Sequence, residues 1–544
     1  MKLAAPATAA VVTVFLAGLA GPVAAGGEPS REPAPGAVAL ARHGTSDAAE
    51  PRSAASAIRD AYLTATRAGA GSPGTPTPAA PAPTAGGTRR PAGTAPVPPG
   101  TVISRETTIS GLSCPAAWEC VAVGSYTDSA GNFQGLLLTR HRRSWTAVRA
   151  PLPAGAAATP ETTISGVACP SARECVAVGS YADSSGNFQG LLLTRHRRSW
   201  TAIRAPLPVG AATNPFGSIS LVACASATAC TAVGAYTDTS GNAHLLLLTR
   251  CGSSWTAATA PLPADAAAGI GGSIPVLACP SASACTAVGD YLDSSFRNRL
   301  LLLTGHGSSW AAGTAPLPAG ASTNPYIFIL GLACRSARAC LATGYYGDAN
   351  APPAGNKGLL LTQRGSSWDA VTAPLPGGIT GGLSSVWAAA CPPRAGCVAV
   401  GGYLNVSGHN GGLLLTQHWR SWSAATAPLP AGAATNPDST VKAVACPSAA
   451  SCTAGGSYPD TSGDSQGLLL TRHWGSWTPT RAPLPAGAAT NPEAAITAVA
   501  CPSATVCTAI GSYSDSSGNF DGLLLTGHGP SWTATEAPLP AGTS

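Results

Sequence analysis

The chain has 544 residues, of which 45% are apolar and only 10% charged, with 64 Gly, 49 Pro and 17 Cys. An average soluble domain carries roughly 25% charged residues; this much Gly and Pro excludes a helical protein, and this much apolar content excludes a wholly disordered one. A formal net charge of +6 spread over the chain is too weak for a nucleic-acid binder, and the Arg bias (Lys occurs only at Lys2, Lys357 and Lys442) reads as the mark of a GC-rich bacterial genome.

Residues 1–25 have the three parts of an export signal. Lys2 is the charged start, Leu3 to Gly21 the apolar stretch, and Val23-Ala24-Ala25 the small residues before a cut at Gly26. An uncleaved anchor is the competing reading, since about 19 apolar residues just span a bilayer; Pro6 and the small-residue exit favour cleavage. The rest of the chain is expected to be secreted, with no membrane contact after cleavage. Residues 26–100 read as a Pro/Ala/Gly-rich disordered tether, with GSPGTPTPAAPAPTAGG at its core.

From residue 101 to 544 the chain repeats. The first Cys of each unit falls at 114, 169, 224, 279, 334, 391, 446 and 501, a 55-residue period lengthened once by a small insertion near Asp348–Lys357. Each unit holds four short strand-like segments; in the first they are Thr107 to Cys114, Cys120 to Tyr126, Gln134 to Thr139 and Ser144 to about Pro151. Four strands at such a period predict an all-β, eight-bladed β-propeller. A β-solenoid has shorter coils, and separate 55-residue domains would bury too little. The motif APLPAG ends every unit in some form, and Ala95-Pro96-Val97-Pro98-Pro99-Gly100 resembles it ahead of unit one.

Sixteen cysteines form C-x5-C pairs, one per unit: Cys114–Cys120, Cys169–Cys175, Cys224–Cys230, Cys279–Cys285, Cys334–Cys340, Cys391–Cys397, Cys446–Cys452 and Cys501–Cys507. Two Cys across a five-residue turn in an exported protein predict cross-strand disulfides. Zinc would need further ligands and a C-x2-C spacing that never occurs. Cys251 is left over, as a free thiol or a dimer contact.

The third-to-fourth strand turns read LTRHRRSW, LTGHGSSW, LTQRGSSW and LTGHGPSW, with the Ser-Trp end in all eight units (Trp145, Trp200, Trp255, Trp310, Trp368, Trp422, Trp477, Trp532). They resemble degenerate Asp-boxes, the turns of bacterial neuraminidase-repeat propellers, with the Asp replaced throughout. The resemblance implies a propeller in which the box is a structural turn. A hydrolase of that type needs singular arginines, a Tyr–Glu pair and an acid; the repeat region offers only in-phase Arg and Tyr and no singular carboxylate pair. A non-enzymatic chain without cofactor or metal is therefore expected.

The loop between second and third strands is the candidate ligand-binding site: Tyr126/Asp128/Asn132, Tyr181/Asp183/Asn187, Tyr236/Asp238/Asn242 and Tyr513/Asp515/Asn519, drifting in units four to seven. A ring beside a carboxylate and an amide suits stacking on and hydrogen-bonding a sugar. Plain turn chemistry asks for the same Asp, Gly and Asn, and one carboxylate per turn is too few for calcium. Six in-phase histidines (His141, His196, His306, His418, His473, His528) sit on the opposite face with Arg142, Arg143, Arg197 and Arg198, and read as exposed turn residues. The function expected is a binding or scaffold propeller, multivalent for wall or extracellular polysaccharide. A glycan-acting hydrolase and a platform for exported proteins are the alternatives.

Overall fold

The computed structural model describes residues 12–13 and 106–541, apart from 270, 349–354, 380–381, 406–407 and 436–437. The expected leader (save Val12–Thr13), the expected tether and the Ala95–Gly100 motif lie outside the described residues.

Each repeat folds into its own four-stranded antiparallel sheet, with the strands in sequence order. The first blade comprises Thr107–Ala116, Glu119–Thr127, Phe133–His141 and Ser144–Arg149, and the last Ala495–Ala500, Val506–Ser514, Phe520–His528 and Ser531–Glu536. Val12–Thr13 adds a fifth, two-residue strand to the first blade, opposite Leu112 and Gly111. The eight-bladed, all-β architecture agrees with the 55-residue period.

The apolar core lies between blades. Leu136 and Leu138 of the third strand pack with Ile510 and Leu524 of the last blade, whereas Leu137 between them packs with Val167 and Leu191 of the second. With both faces of the sheet covered, the third strand is a continuous apolar run and not an alternating one. The fourth strand (Ser144–Arg149) is outermost, and there half-buried residues alternate with exposed ones. The first strands are innermost: a Cβ on Gly331 would lie 3.0 Å from the Cα of Ala388 in the next blade's first strand.

The cluster between last and first blades joins Ile109, Leu112 and Tyr126 to Ala498, Ile510 and Ala537, with Leu539 packed against it. Ring closure therefore rests on side-chain packing and on the final APLPA segment, with no strand exchanged between the two blades among the described residues. All eight expected disulfides are formed, with Cα–Cα separations of 4.0–4.2 Å, and Cys251 is free and exposed. Each bridge ties the first strand to the second at the turn that ends the inner edge.

Candidate functional site

The Tyr-x-Asp loops are built from the inside. Tyr126, Tyr181, Tyr236 and Tyr513 are only 1–4% exposed. Their rings fill the clusters between blades, and the Tyr236 hydroxyl meets Thr259 Oγ1 at 2.6 Å on the outer strand. A ring enclosed in this way has no face to offer a sugar. That corrects the expectation of stacking platforms at these tyrosines.

The carboxylates of the same loops are turn clamps. Asp183 Oδ1 accepts the backbone N–H of Ser185 at 2.9 Å and of Asn187 at 3.0 Å, while Oδ2 accepts Gln189 Nε2 at 2.9 Å. Asp128 is held in the same way by Ala130, Asn132 and Gln134, and Asp238 by Ser240, Asn242 and His244. Asp515 takes the N–H groups of Ser517 and Asn519 and the Asn519 amide. Hydrogen bonds to the charged form favour it. The Asn187 N–H leads in holding Asp183 below the usual carboxylate range, the His244 side chain in holding Asp238, and the Asn519 side chain in holding Asp515. Turn chemistry thus accounts for the Asp and Asn residues of all four loops, and each loop's bonding capacity is largely spent within the loop.

The repeat symmetry breaks elsewhere, at the mouth of the ring's axis. The residue just before the buried Ile or Val near the start of each first strand, such as Thr108 before Ile109 and Phe328 before Ile329, faces its partner on the second strand there. In blades one, two and seven these pairs are Thr108–Ser125, Thr163–Ser180 and Thr440–Ser457, each joined through side-chain hydroxyls. Blade four replaces the second hydroxyl with Asp290, which accepts a hydrogen bond from Ser273. Blade five carries Phe328 and Tyr345, stacked with centroids 5.1 Å apart and planes 26° from parallel. One step deeper, Trp387 of blade six lies under the ammonium of Lys442 of blade seven, 5.5 Å from ring centroid to Nζ. The Trp387 indole N–H donates to Ser385 Oγ at 2.7 Å.

This sector therefore holds an acid, three aromatic rings and an amine where the sister blades hold hydroxyls and small residues. Phe328 is 45% exposed, so its ring is open to a ligand. Burial pushes the Asp290 carboxyl above its usual range, against the opposing hydrogen bonds of Ser273 and Asn298. Burial also lowers Lys442 and raises Tyr345. The backbone beneath the pair is that of every blade: a Cβ on Gly344 would stand 1.9 Å from the carbonyl oxygen of Phe328, as one on Gly124 would from that of Thr108. Reading the repeats for what they share conceals these residues. The signal that finds them is departure from the repeat at an in-phase position.

Fold and site together define an eight-bladed β-propeller whose blades are each closed within one repeat. No family model matches the chain, and neither does any curated protein. The Asp-box resemblance accordingly stays a likeness of one turn, whose Trp is the second residue of every fourth strand.

Among solved structures, the chain is similar to the β-propeller domain of the Trilobed protease from Pyrococcus furiosus, at 7% identity over 69% of this chain and 98% of that one, with a TM-score of 0.38. The fucose-specific lectin from Aleuria aurantia aligns at 14% identity over 59% and 97%, with a TM-score of 0.28. The GH93 alpha-L-arabinofuranosidase of Fusarium graminearum aligns at 9% over 55% and 89%, with a TM-score of 0.32. These likenesses concern the propeller fold alone. Because the similar propellers include a hydrolase and a domain of a larger protease beside a lectin, the expectation of a non-enzymatic chain is withdrawn: the same architecture serves both.

Proposed function

We propose that this propeller binds a carbohydrate at the axial mouth, in the sector formed by Asp290, Phe328, Tyr345, Trp387 and Lys442. The observation that carries the reading is the exposed Phe328 ring, stacked on Tyr345 and next in the ring to the Asp290–Ser273 pair. A sugar has an apolar C–H face and an equatorial rim of hydroxyls. The first suits Phe328 and Trp387, and the second suits Asp290 and Lys442. The sector occurs once per ring, so a ligand binds with one site per chain, in place of the eightfold avidity that recurring loops would have given. Eight disulfides accord with work in an oxidising compartment outside the cytosol. Among the described residues no helix is long and apolar enough to cross a membrane.

The test is a glycan array followed by calorimetry on the full chain, with Phe328→Ser and Tyr345→Ser as variants; Ser stands at the equivalent positions in blades six (Ser385) and seven (Ser457). Loss of one aromatic ring is expected to weaken binding roughly tenfold without unfolding the ring. A ligand that binds both variants as it binds the parent would remove the site from consideration, and a chain that binds no glycan would favour a protein ligand there.

A further inference from the structure

The face opposite the Phe328 mouth carries the disulfide turns and the two-residue turns between third and fourth strands. The first residue of each of these hairpin turns adopts a left-handed backbone, which L side chains adopt only at a cost in free energy. Blades three, four, five and eight place Gly there: Gly252, Gly307, Gly365 and Gly529, with φ between 57° and 65°. Blades six, seven, one and two instead place Trp419 (φ 55°), Trp474 (φ 50°), Arg142 (φ 59°) and Arg197 (φ 59°). Four bulky side chains are thus held in strained turns where the same fold, in the same chain, accepts glycine.

Once the ring closes between blades eight and one, these four tips fall within a run of five blades, interrupted only by the Gly529-Pro530 turn of blade eight. Trp419 is 97% exposed and Trp474 is 89% exposed, although Trp elsewhere in the chain packs inward at every fourth strand. Arg143, Arg198 and Arg420 follow in the same turns and are exposed, as is Arg173 in the disulfide turn of blade two. Trp118, in the disulfide turn of blade one, is half exposed and packs edge-on against His141.

The face has almost no countercharge. Its turns contain two carboxylates, and both are engaged: Glu119 is buried on Arg195 and His141, and Glu174 is bonded to His196.

We infer that this sector docks the ring on an anionic lipid surface, with Trp419 and Trp474 entering the headgroup region and the arginines of blades one, two and six pairing with lipid phosphates. Tryptophan is the residue that settles at a membrane interface, and arginine beside it adds charge attraction to anionic leaflets. Docking through turn tips on one flat face leaves the axial mouth with Phe328 directed away from the bilayer. The inference uses none of the residues proposed to bind carbohydrate, so either can fail alone.

The experiment is co-sedimentation of the full chain with vesicles of phosphatidylcholine, and with vesicles of phosphatidylcholine and phosphatidylglycerol in equal parts, at low and high salt. The parent is expected to sediment with the anionic vesicles and to be released by salt. Trp419→Gly with Trp474→Gly restores the residue that the sister turns use and relieves the left-handed strain, so the fold is retained, and a thermal melt no lower than the parent's checks this. Partition is expected to fall roughly tenfold in that variant, and by a similar factor or more in Arg142→Gly with Arg197→Gly. A parent that stays in the supernatant with anionic vesicles at low salt overturns the inference, as does a Trp variant that sediments like the parent. Binding to polygalacturonate without binding to vesicles also overturns it, and assigns the face to an acidic polymer.

Discussion

Asp183 of the second blade is bridged through its backbone to Ala156, in the segment that leaves the first blade. Around that bridge the Ser184 N–H donates to the Gly155 carbonyl at 2.8 Å, and the Ala157 N–H donates to that of Ala182 at 3.0 Å. The same bridge joins Ala211 to Asp238, Ala266 to Asp293, Ala321 to Asp348, Ala433 to Asp460 and Ala488 to Asp515. Two recurring motifs of the chain, Tyr-x-Asp and APLPAG, are therefore halves of one latch between neighbouring blades.

The latch depends on the clamp that shapes its Asp loop. Asp183→Ala strips the acceptor from two backbone N–H groups and the Gln189 amide, and is expected to lower Tm by a few degrees and to speed proteolysis in the 153–160 segment. Asp183→Asn keeps one acceptor oxygen and should lose less. Because the Asp183 carboxyl is held below its usual range, its contribution is present above the unfolded value and lost as pH falls through the folded one. The Asn variant should therefore converge with the parent in acid. Thermal melts across pH 2 to 7 check this.

Blade eight breaks the clamp, and the consequence has the opposite sign. Gln134, Gln189, His244, Arg299 and Gln466 each donate to the Oδ2 of their loop Asp. The equivalent residue after Asp515 is Asp521, which has nothing to donate when ionised. Burial, with the charges of Glu536 and Asp515, pushes the Asp521 carboxyl up to about 6. A raised carboxyl contributes stability fully below its unfolded value, near 3.8, and that stability is lost as pH rises through about 6. Asp521→Gln should therefore raise Tm at pH 8, with the gain shrinking towards pH 4.

The disulfides act as a set. Each closes a sequence separation of 6, for which the chain-entropy account gives about 2 kcal/mol. Eight such bridges sum to about 16 kcal/mol, beyond the whole stability of an ordinary domain. Removing one pair, as in Cys446→Ser with Cys452→Ser, should leave a folded ring with a lower urea midpoint. Full reduction should unfold the propeller, and circular dichroism with and without a phosphine reductant distinguishes the two.

The ring was legible because its cause is periodic: apolar triplets such as Leu136–Leu138, paired cysteines and turn residues recur at one spacing, and each blade needs the same contacts as the next. The Tyr-x-Asp loops misled for the same reason. Tyr126 recurs because it fills a core that all blades share, and periodicity by itself does not say whether a ring faces solvent or a neighbour. Asp290, Phe328, Trp387 and Lys442 are invisible to a search for recurrence, since each occurs at a position that blades one, two, three and eight fill with small or hydroxyl residues. Placing them in one sector requires knowing that the first strands are innermost. Trp419 and Trp474 were visible as residues, but not as left-handed, solvent-exposed tips.

Glu119 and Arg195 form a buried ion pair across the first two blades, with Nη2 to Oε1 at 2.5 Å and side-chain exposures of 4% and 5%. Glu119 also meets His141 Nδ1 at 3.2 Å, whereas Arg140, the counterpart of Arg195 in blade one, turns to Thr508, Thr526 and the Ala117 carbonyl. The duplicated sequence thus places identical arginines in two different environments, because only blade two follows a blade that offers Glu119. Removing one partner leaves the other charge buried and unpaired, a loss of about 3–5 kcal/mol in comparable pairs. Glu119→Gln is accordingly expected to destabilise far more than Glu174→Gln, whose partner His196 is exposed. Glu119→Gln combined with Arg195→Met should recover much of the loss, since neither charge of the pair then remains to be desolvated. A double-mutant cycle by urea unfolding reads the coupling; additive losses would place the stability of this interface in its apolar contacts instead.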